Sequence, residues 1–116
     1  MKLFEYEAKN ILAKYGVPTP HGELATDKNQ AREIVAKLKA PFVVKAQVLV
    51  AGRGKAGGIL FADSVDDAEK ATEKLLGMQI KGIPVRSVWI EEKIPTKREL
   101  YFGITTDRFN QSYVAI

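Results

Sequence analysis

Four glycines and two cations fall within the seven residues Gly52-Arg53-Gly54-Lys55-Ala56-Gly57-Gly58, just after an apolar run that carries a single lysine, Lys45. Glycine lets backbone N–H groups approach a ligand with no Cβ in the way, and the cations supply charge, so the composition suits a polyphosphate. In a strand with period-two alternation, Phe42, Val44, Ala46 and Val48 share one face and Val43, Lys45 and Gln47 the other. A lysine placed there either snorkels to water or meets an anion, because burying it unpaired is costly. A phosphate and a structural carboxylate both satisfy that need. Further along, Glu91 closes another apolar run and Glu99 follows beyond Pro95. A strand edge at residues 90–94 offers backbone groups to an adenine rim, and a carboxylate beside it can take ribose hydroxyls. Taken alone, glutamates near Lys and Arg in a loop are more often simply solvated.

The flanking sequence removes the lookalikes. Residues 52–57 match G-x-G-x-x-G, but the dinucleotide fingerprint opens a helix, and Gly58-Ile59-Leu60-Phe61-Ala62 reads as a strand. A Walker A loop needs Ser or Thr after Gly-Lys, where this chain has Ala56. What remains is a strand–glycine loop–strand hairpin, the form of phosphate cover that protein kinases use, although their strand lysine follows the loop. The competing reading is a flexible hairpin with basic residues for solubility.

The elements that must position these residues are legible from periodicity and punctuation. Phe4, Ala8, Ile11, Leu12 and Tyr15 recur at helical spacing, and Gly16, Pro18 and Pro20 close that helix. A short strand is expected at Gly22–Ala25, then a helix capped by Thr26 or Asp27 that buries Ala31, Ile34, Val35 and Leu38. Residues 42–49 read as a strand, 51–58 as the loop and Ile59–Ala62 as the returning strand. Ser64 with Asp67 starts a helix that turns Val65, Ala68, Ala71, Leu75 and Leu76 inward and stops at Gly77. Strands are expected at 85–92 and 100–106, a turn at 107–111, and a last strand from Ser112. That strand is apolar and ends the sequence without a turn or polar tail, so the chain reads as the N-terminal piece of a longer protein.

Composition narrows the class. The 116 residues are 46% hydrophobic and 28% charged, ordinary for one globular domain. The absence of cysteine excludes disulfides, thiolate metal sites and cysteine nucleophiles, and the single histidine, His21, is assigned no role. No apolar run approaches a membrane span and the N-terminus is not a signal peptide, which points to a cytoplasmic protein without a membrane partner. The net charge of +4 is spread among acids along the helices, the pattern of a solvated face and not of a nucleic-acid stripe. Trp89 and Tyr101 are expected in a core or an interface, and the aromatic residues generally at apolar core positions.

Leu3-Phe4-Glu5-Tyr6-Glu7-Ala8-Lys9, Tyr15-Gly16-Val17-Pro18, the block from Val43 through Gly58, Lys97-Arg98-Glu99-Leu100-Tyr101-Phe102-Gly103 and Asp107-Arg108 together resemble the β subunit of ADP-forming succinate–CoA ligase (succinyl-CoA synthetase). The resemblance runs in order over nearly the whole chain. It implies an α+β ATP-grasp fold, with a mixed or antiparallel sheet flanked by helices and the glycine-rich hairpin. Residues 21–95 would form the nucleotide-covering subdomain, and 1–20 with 96–116 would belong to the second. Carried over, Lys45 contacts the phosphates, Gly52, Arg53 and Gly54 form the loop over them, and Glu91, Ile94 and Glu99 line the adenine and ribose side, Ile94 through its backbone. The implied cofactors are ATP (or GTP) and Mg²⁺, whose ligands are expected beyond residue 116. The implied partner is the ligase α subunit, which carries the phosphohistidine, and the substrates are succinate and CoA, joined through succinyl phosphate. On this reading the 116 residues alone would bind ATP weakly or not at all, and would not turn it over. Ala51 stands where the family commonly has glycine, which would strain the loop if that position needs positive φ. The alternatives are a sister ligase acting on malate, a citrate-cleaving relative, and a stand-alone basic module for nucleotide or RNA.

Overall fold

Strands and helices form where alternation and capping direct them in the computed structural model, which describes residues 1–116. Helix α1 spans Glu5–Lys14, with Phe4 at its N-cap, and ends through Gly16 at φ +79°. Strand β1, Gly22–Ala25, leads into α2, Lys28–Val35, where the Asp27 side chain accepts from the Gln30 N–H at 2.8 Å. Strands β2 (Phe42–Ala46) and β3 (Ile59–Ala62) flank the glycine loop. Helix α3, Val65–Leu76, is capped by Ser64, whose hydroxyl accepts from the Asp67 N–H at 3.1 Å, and closes at Gly77. The two-residue strands β4 (Gln79–Ile80) and β5 (Ile83–Pro84) form a small hairpin before β6, Val88–Glu92. Strands β7 (Ile104–Asp107) and β8 (Ser112–Ala115) make a separate hairpin.

The main sheet has the order β1–β6–β2–β3, every neighbour antiparallel. Helices α2 and α3 pack on one of its faces and on each other. Their stripes of Ala31, Ile34, Val35, Ala68, Ala71 and Leu75 meet Phe42, Val44, Ala46, Ala62, Val88 and Ile90 in one core. The alternation expected for β2 holds: Phe42, Val44 and Ala46 enter this core, and Lys45 lies on the opposite face across from Trp89. Leu38 is only half-buried, and Thr72 joins the buried face of α3.

Several expectations are corrected. Strand β2 stops at Ala46 and not at residue 49, although the Gln47 N–H still bonds the Ser87 carbonyl, next in the β6 register, at 3.0 Å. Strand β6 begins at Val88: the Val85 N–H goes to the Met78 carbonyl at the end of the β4–β5 hairpin, at 3.0 Å, and Arg86 and Ser87 lie between the two strands. Strand β7 begins at Ile104, leaving Leu100, Tyr101 and Phe102 exposed. Trp89 is buried as expected; Tyr101, expected in a core or an interface, is 84% exposed and so not in this core, and Phe102, Phe109 and Tyr113 are exposed as well. The aromatics of the terminal hairpin therefore do not occupy core positions. Helix α1 forms at its expected place, yet none of its residues is buried.

Candidate functional site

The sheet face opposite α2 and α3 carries the chemistry. Antiparallel register sets Val43 and Lys45 of β2 beside Phe61 and Ile59 of β3, and beside Glu91 and Trp89 of β6. After β6 the backbone folds back over this face, anchored by the Lys93 N–H on the Pro41 carbonyl at 2.8 Å. Between them lies a cleft of about 370 Å³. Lys45, Glu91, Ile94 and Glu99 all line it, so residues chosen from two distant stretches of sequence share one wall and rim. Ile94 and Glu99 are exposed, the Ile94 N–H donates to no acceptor in the chain, and the Glu99 carboxylate has no ion-pair partner. Gly52, Arg53 and Gly54 do not line this cleft.

Lys45 meets carboxylates. Its Nζ lies 2.5 Å from Glu91 Oε1 and 3.0 Å from Glu5 Oε1. Lys9, one turn along α1 from Glu5, sits 2.9 Å from Glu5 Oε1 and donates to Glu91 Oε2. Trp89 Nε1 donates to that same Glu91 oxygen at 2.7 Å. Arg53 reaches out of the glycine loop to Glu5 Oε2 and donates to the Ala46 carbonyl at 3.2 Å. Three cations thus share two carboxylates, leaving one positive charge in excess. Tyr6 stacks on Trp89 at 6.3 Å and its N–H donates to Gln47 Oε1 at 3.2 Å, which seats α1 over the cluster.

The titration behaviour follows from burial and charge. Burial pushes the Glu91 carboxyl up, but hydrogen bonds and charge from Lys45 and Lys9 outweigh it and hold the group below the usual carboxylate range. Burial, with the neighbouring Lys45 charge, pulls the Lys9 ammonium below its ordinary value against the pull of Glu91. Burial likewise lowers Arg53, with Glu91 opposing.

The loop shows why its glycines are needed at two places. Gly52 adopts φ +79°, and a Cβ on Gly58 would meet Ile80 Cδ1 at 2.6 Å and the Arg53 carbonyl at 2.9 Å. Internal bonds close the loop: the Gly58 N–H to the Arg53 carbonyl at 2.7 Å, Gly57 to Gly54 at 3.1 Å and Ala56 to Gly52 at 3.2 Å. The N–H groups of Gly52, Arg53, Gly54 and Lys55 are left without acceptors. Ala51 does not have positive φ, so the strain expected there is absent. His21 is exposed and takes part only through its carbonyl, which accepts from the Glu92 N–H at 3.0 Å.

Sequence alone does not single out Glu5 and Lys9 as site residues. Their i, i+4 spacing on a helix was the available signal, but such pairs are usually surface features. Nothing local tells that this pair faces the half-buried lysine on β2.

Residues 2–116 match the ATP-grasp domain family. Among curated proteins, the chain is 48% identical over 116 residues to the succinate–CoA ligase [ADP-forming] subunit beta of Ignicoccus hospitalis, covering all of this chain and 31% of that one. It is 49% identical over 108 residues to the same-named protein of Halobacterium salinarum, covering 93% and 28%. The chain thus spans about a third of the length of these relatives. Among solved structures, acetyl-coenzyme A synthetase 1 of Ca. Korarchaeum cryptofilum superposes with a TM-score of 0.82 at 22% identity, over 92% of this chain and 49% of that one. Phosphoribosylamine–glycine ligase of Thermotoga maritima gives 0.71 at 29% identity, over 98% and 27%. With the family pattern spanning nearly every residue and the same α+β architecture in these solved structures, the chain belongs to the ATP-grasp family.

Proposed function

We propose that this chain is the nucleotide-binding part of an ADP-forming succinate–CoA ligase β subunit, acting with an α subunit that carries the phosphohistidine. The observation that carries the reading is the convergence of Lys45, Glu91, Ile94 and Glu99 on one cleft, with the glycine loop at the end of the same strand. Lys45 neutralises phosphate charge, and the unpaired N–H groups of Gly52, Arg53 and Gly54 cap the phosphates from the loop. Phosphoryl transfer gains mainly from such positioning and charge neutralisation, so no acid–base pair is required of these residues. On the rim, the free Ile94 N–H suits an adenine edge and Glu99 suits ribose hydroxyls. Glu91, with both oxygens already engaged, serves that side by fixing Lys45.

ATP in preference to GTP is supported by the names of the relatives, as are succinate and CoA as substrates. No three His, Asp or Glu side chains converge on a point where a metal ion would fit, so no step is assigned to Mg²⁺ within these residues. Residues 21–95 are proposed as the nucleotide-covering subdomain, with 1–20 and 96–116 belonging to the second. The exposed α1 and the separate β7–β8 hairpin support that division. No helix is long and apolar enough to cross a membrane, in keeping with work in the cytoplasm.

The test is Lys45→Ala in the full-length protein assembled with its α subunit. Succinate- and CoA-dependent ATP turnover should fall about a hundredfold, as on removal of one preorganised charge donor, with the fold retained by circular dichroism. Undiminished turnover would refute the phosphate role. Turnover with malate but not succinate would assign the sister ligase.

A further inference from the structure

Glu5 holds the two side chains that the nucleotide needs. Its Oε1 lies 3.0 Å from Lys45 Nζ and its Oε2 pairs with Arg53. The other carboxylate of the cluster has a different character. Glu91 is 4% exposed, lies within the central sheet and spends both oxygens on Lys45, Lys9 and Trp89. Glu5 sits in the first turn of a helix with no buried residue. That helix is tied to the sheet by the ion pairs, the Tyr6–Trp89 stack and one hydrogen bond to Gln47. One carboxylate is set in the core sheet and the other on a helix with no buried residue.

We propose that the Glu5 carboxylate is a built-in stand-in for a nucleotide phosphate, a positioning residue that holds Lys45 and Arg53 ready and is displaced when the nucleotide arrives. This rests on the reading of Lys45 and Arg53 as phosphate-binding cations. The cluster has one positive charge in excess, whereas a triphosphate brings several negative ones. With Glu5 in place the added anion faces a carboxylate on the same donors, and at these separations in a partly buried site the repulsion is strong. Releasing Glu5 removes it. Nucleotide and Glu5 therefore exclude each other, and the apparent affinity is lowered by the fraction of molecules in which Glu5 still occupies the cations. The exchange also frees the start of α1, so occupancy of the site is transmitted to that helix.

Calorimetric titration of the full-length protein with ATP, tripolyphosphate and adenosine tests this on Glu5→Gln, with Glu7→Gln as a first-turn control outside the cluster. Glu5→Gln should bind ATP and tripolyphosphate about tenfold more tightly than wild type, as when a competing closed state is removed. Adenosine affinity and the Glu7→Gln variant should be unchanged. In wild type, ATP should speed amide hydrogen exchange across Glu5–Lys14, a readout that stands even if Glu5→Gln does not fold. Equal or weaker triphosphate binding by a folded Glu5→Gln would overturn the proposal, as would unchanged or increased protection of α1 in wild type. Lys45→Ala separates the two levels. If it leaves ATP affinity intact, the phosphate site itself is misassigned. If it weakens ATP while Glu5→Gln does not strengthen it, only the stand-in role fails.

Discussion

Glu91→Gln removes one charge from the centre of the cluster while keeping size and an acceptor for Trp89 Nε1. Breaking a buried ion pair by deleting one partner typically costs about 3–5 kcal/mol, because the remaining charge is left uncompensated. Here two partners are stranded, Lys45 at 2.5 Å and Lys9, both with side chains only 16–17% exposed. Glu5 alone then faces three cations, and the local excess rises from one positive charge to two. The residual exposure lets the ammonium groups shift toward water, which moderates the loss. The expected destabilisation is about 3 kcal/mol, a large share of the roughly 5–15 kcal/mol that holds a domain together. Urea unfolding followed by far-UV circular dichroism measures it, with fluorescence of the single tryptophan, Trp89, as a second probe at the cluster. The exposed pair Lys28–Glu73, with side chains 53% and 55% exposed, is the control, and Glu73→Gln should leave the urea midpoint nearly unchanged. A Glu91→Gln loss of the same size as the control would refute the claim that these charges are held as one buried unit.

Two further outcomes follow from the same geometry. Since the folded-state Glu91 carboxyl is held below its ordinary value, its stabilisation is fully present above about pH 4.3 and is lost as pH falls through the lowered folded value. The urea midpoint should therefore drop on acidification through this window, and drop less steeply in Glu91→Gln; parallel profiles for the two proteins would contradict it. Gly58→Ala should cost about 1–3 kcal/mol by overpacking, because its Cβ would meet Ile80 Cδ1 at 2.6 Å and the Arg53 carbonyl at 2.9 Å. Gly77→Ala, at φ −86° with its nearest neighbour at 3.5 Å, should stay within about 0.5 kcal/mol of wild type, and equal losses at both positions would sink the steric explanation.

What could be read in advance was local. Ser64 and Gly77 bracket α3 because capping is a matter of three or four adjacent residues. Lys45 was set opposite the core by alternation alone, and the glycine loop fell between two strands whose β-branched and aromatic content marks them. The β4–β5 hairpin escaped because each strand has only two residues. Its signal was the Lys81-Gly82 turn, with φ +51° and +79°, a left-handed pair that two-residue hairpins demand. The run Leu100-Tyr101-Phe102 looked like a strand, but apolar content without a partner does not make one. At the site, sequence indicated that Lys45 needs an anion but not which. Of the two carboxylates that supply it, Glu5 comes from the first helix and Glu91 from the sixth strand. Pairings so distant in sequence are decided by topology and not by any window of residues.

The division of the sheet explains why so much charge is tolerated beside a small core. The face under α2 and α3 is closed mainly by Ala, Val, Ile and Leu packing, in the register that sets β2 against β6. That leaves the opposite face free to hold groups that add little net stability. A buried ion cluster is at best a modest stabiliser, and well-packed apolar residues in its place are often neutral or better. Its presence is therefore better explained by what the cations can do. On the proposed function, Lys45 stands where a phosphate would replace one of its two carboxylate partners. Glu91 fixes it from the sheet, and Glu5 fixes it from a helix that can give way. An apolar substitute would keep the fold and lose the cations, which is why stability alone cannot account for this face.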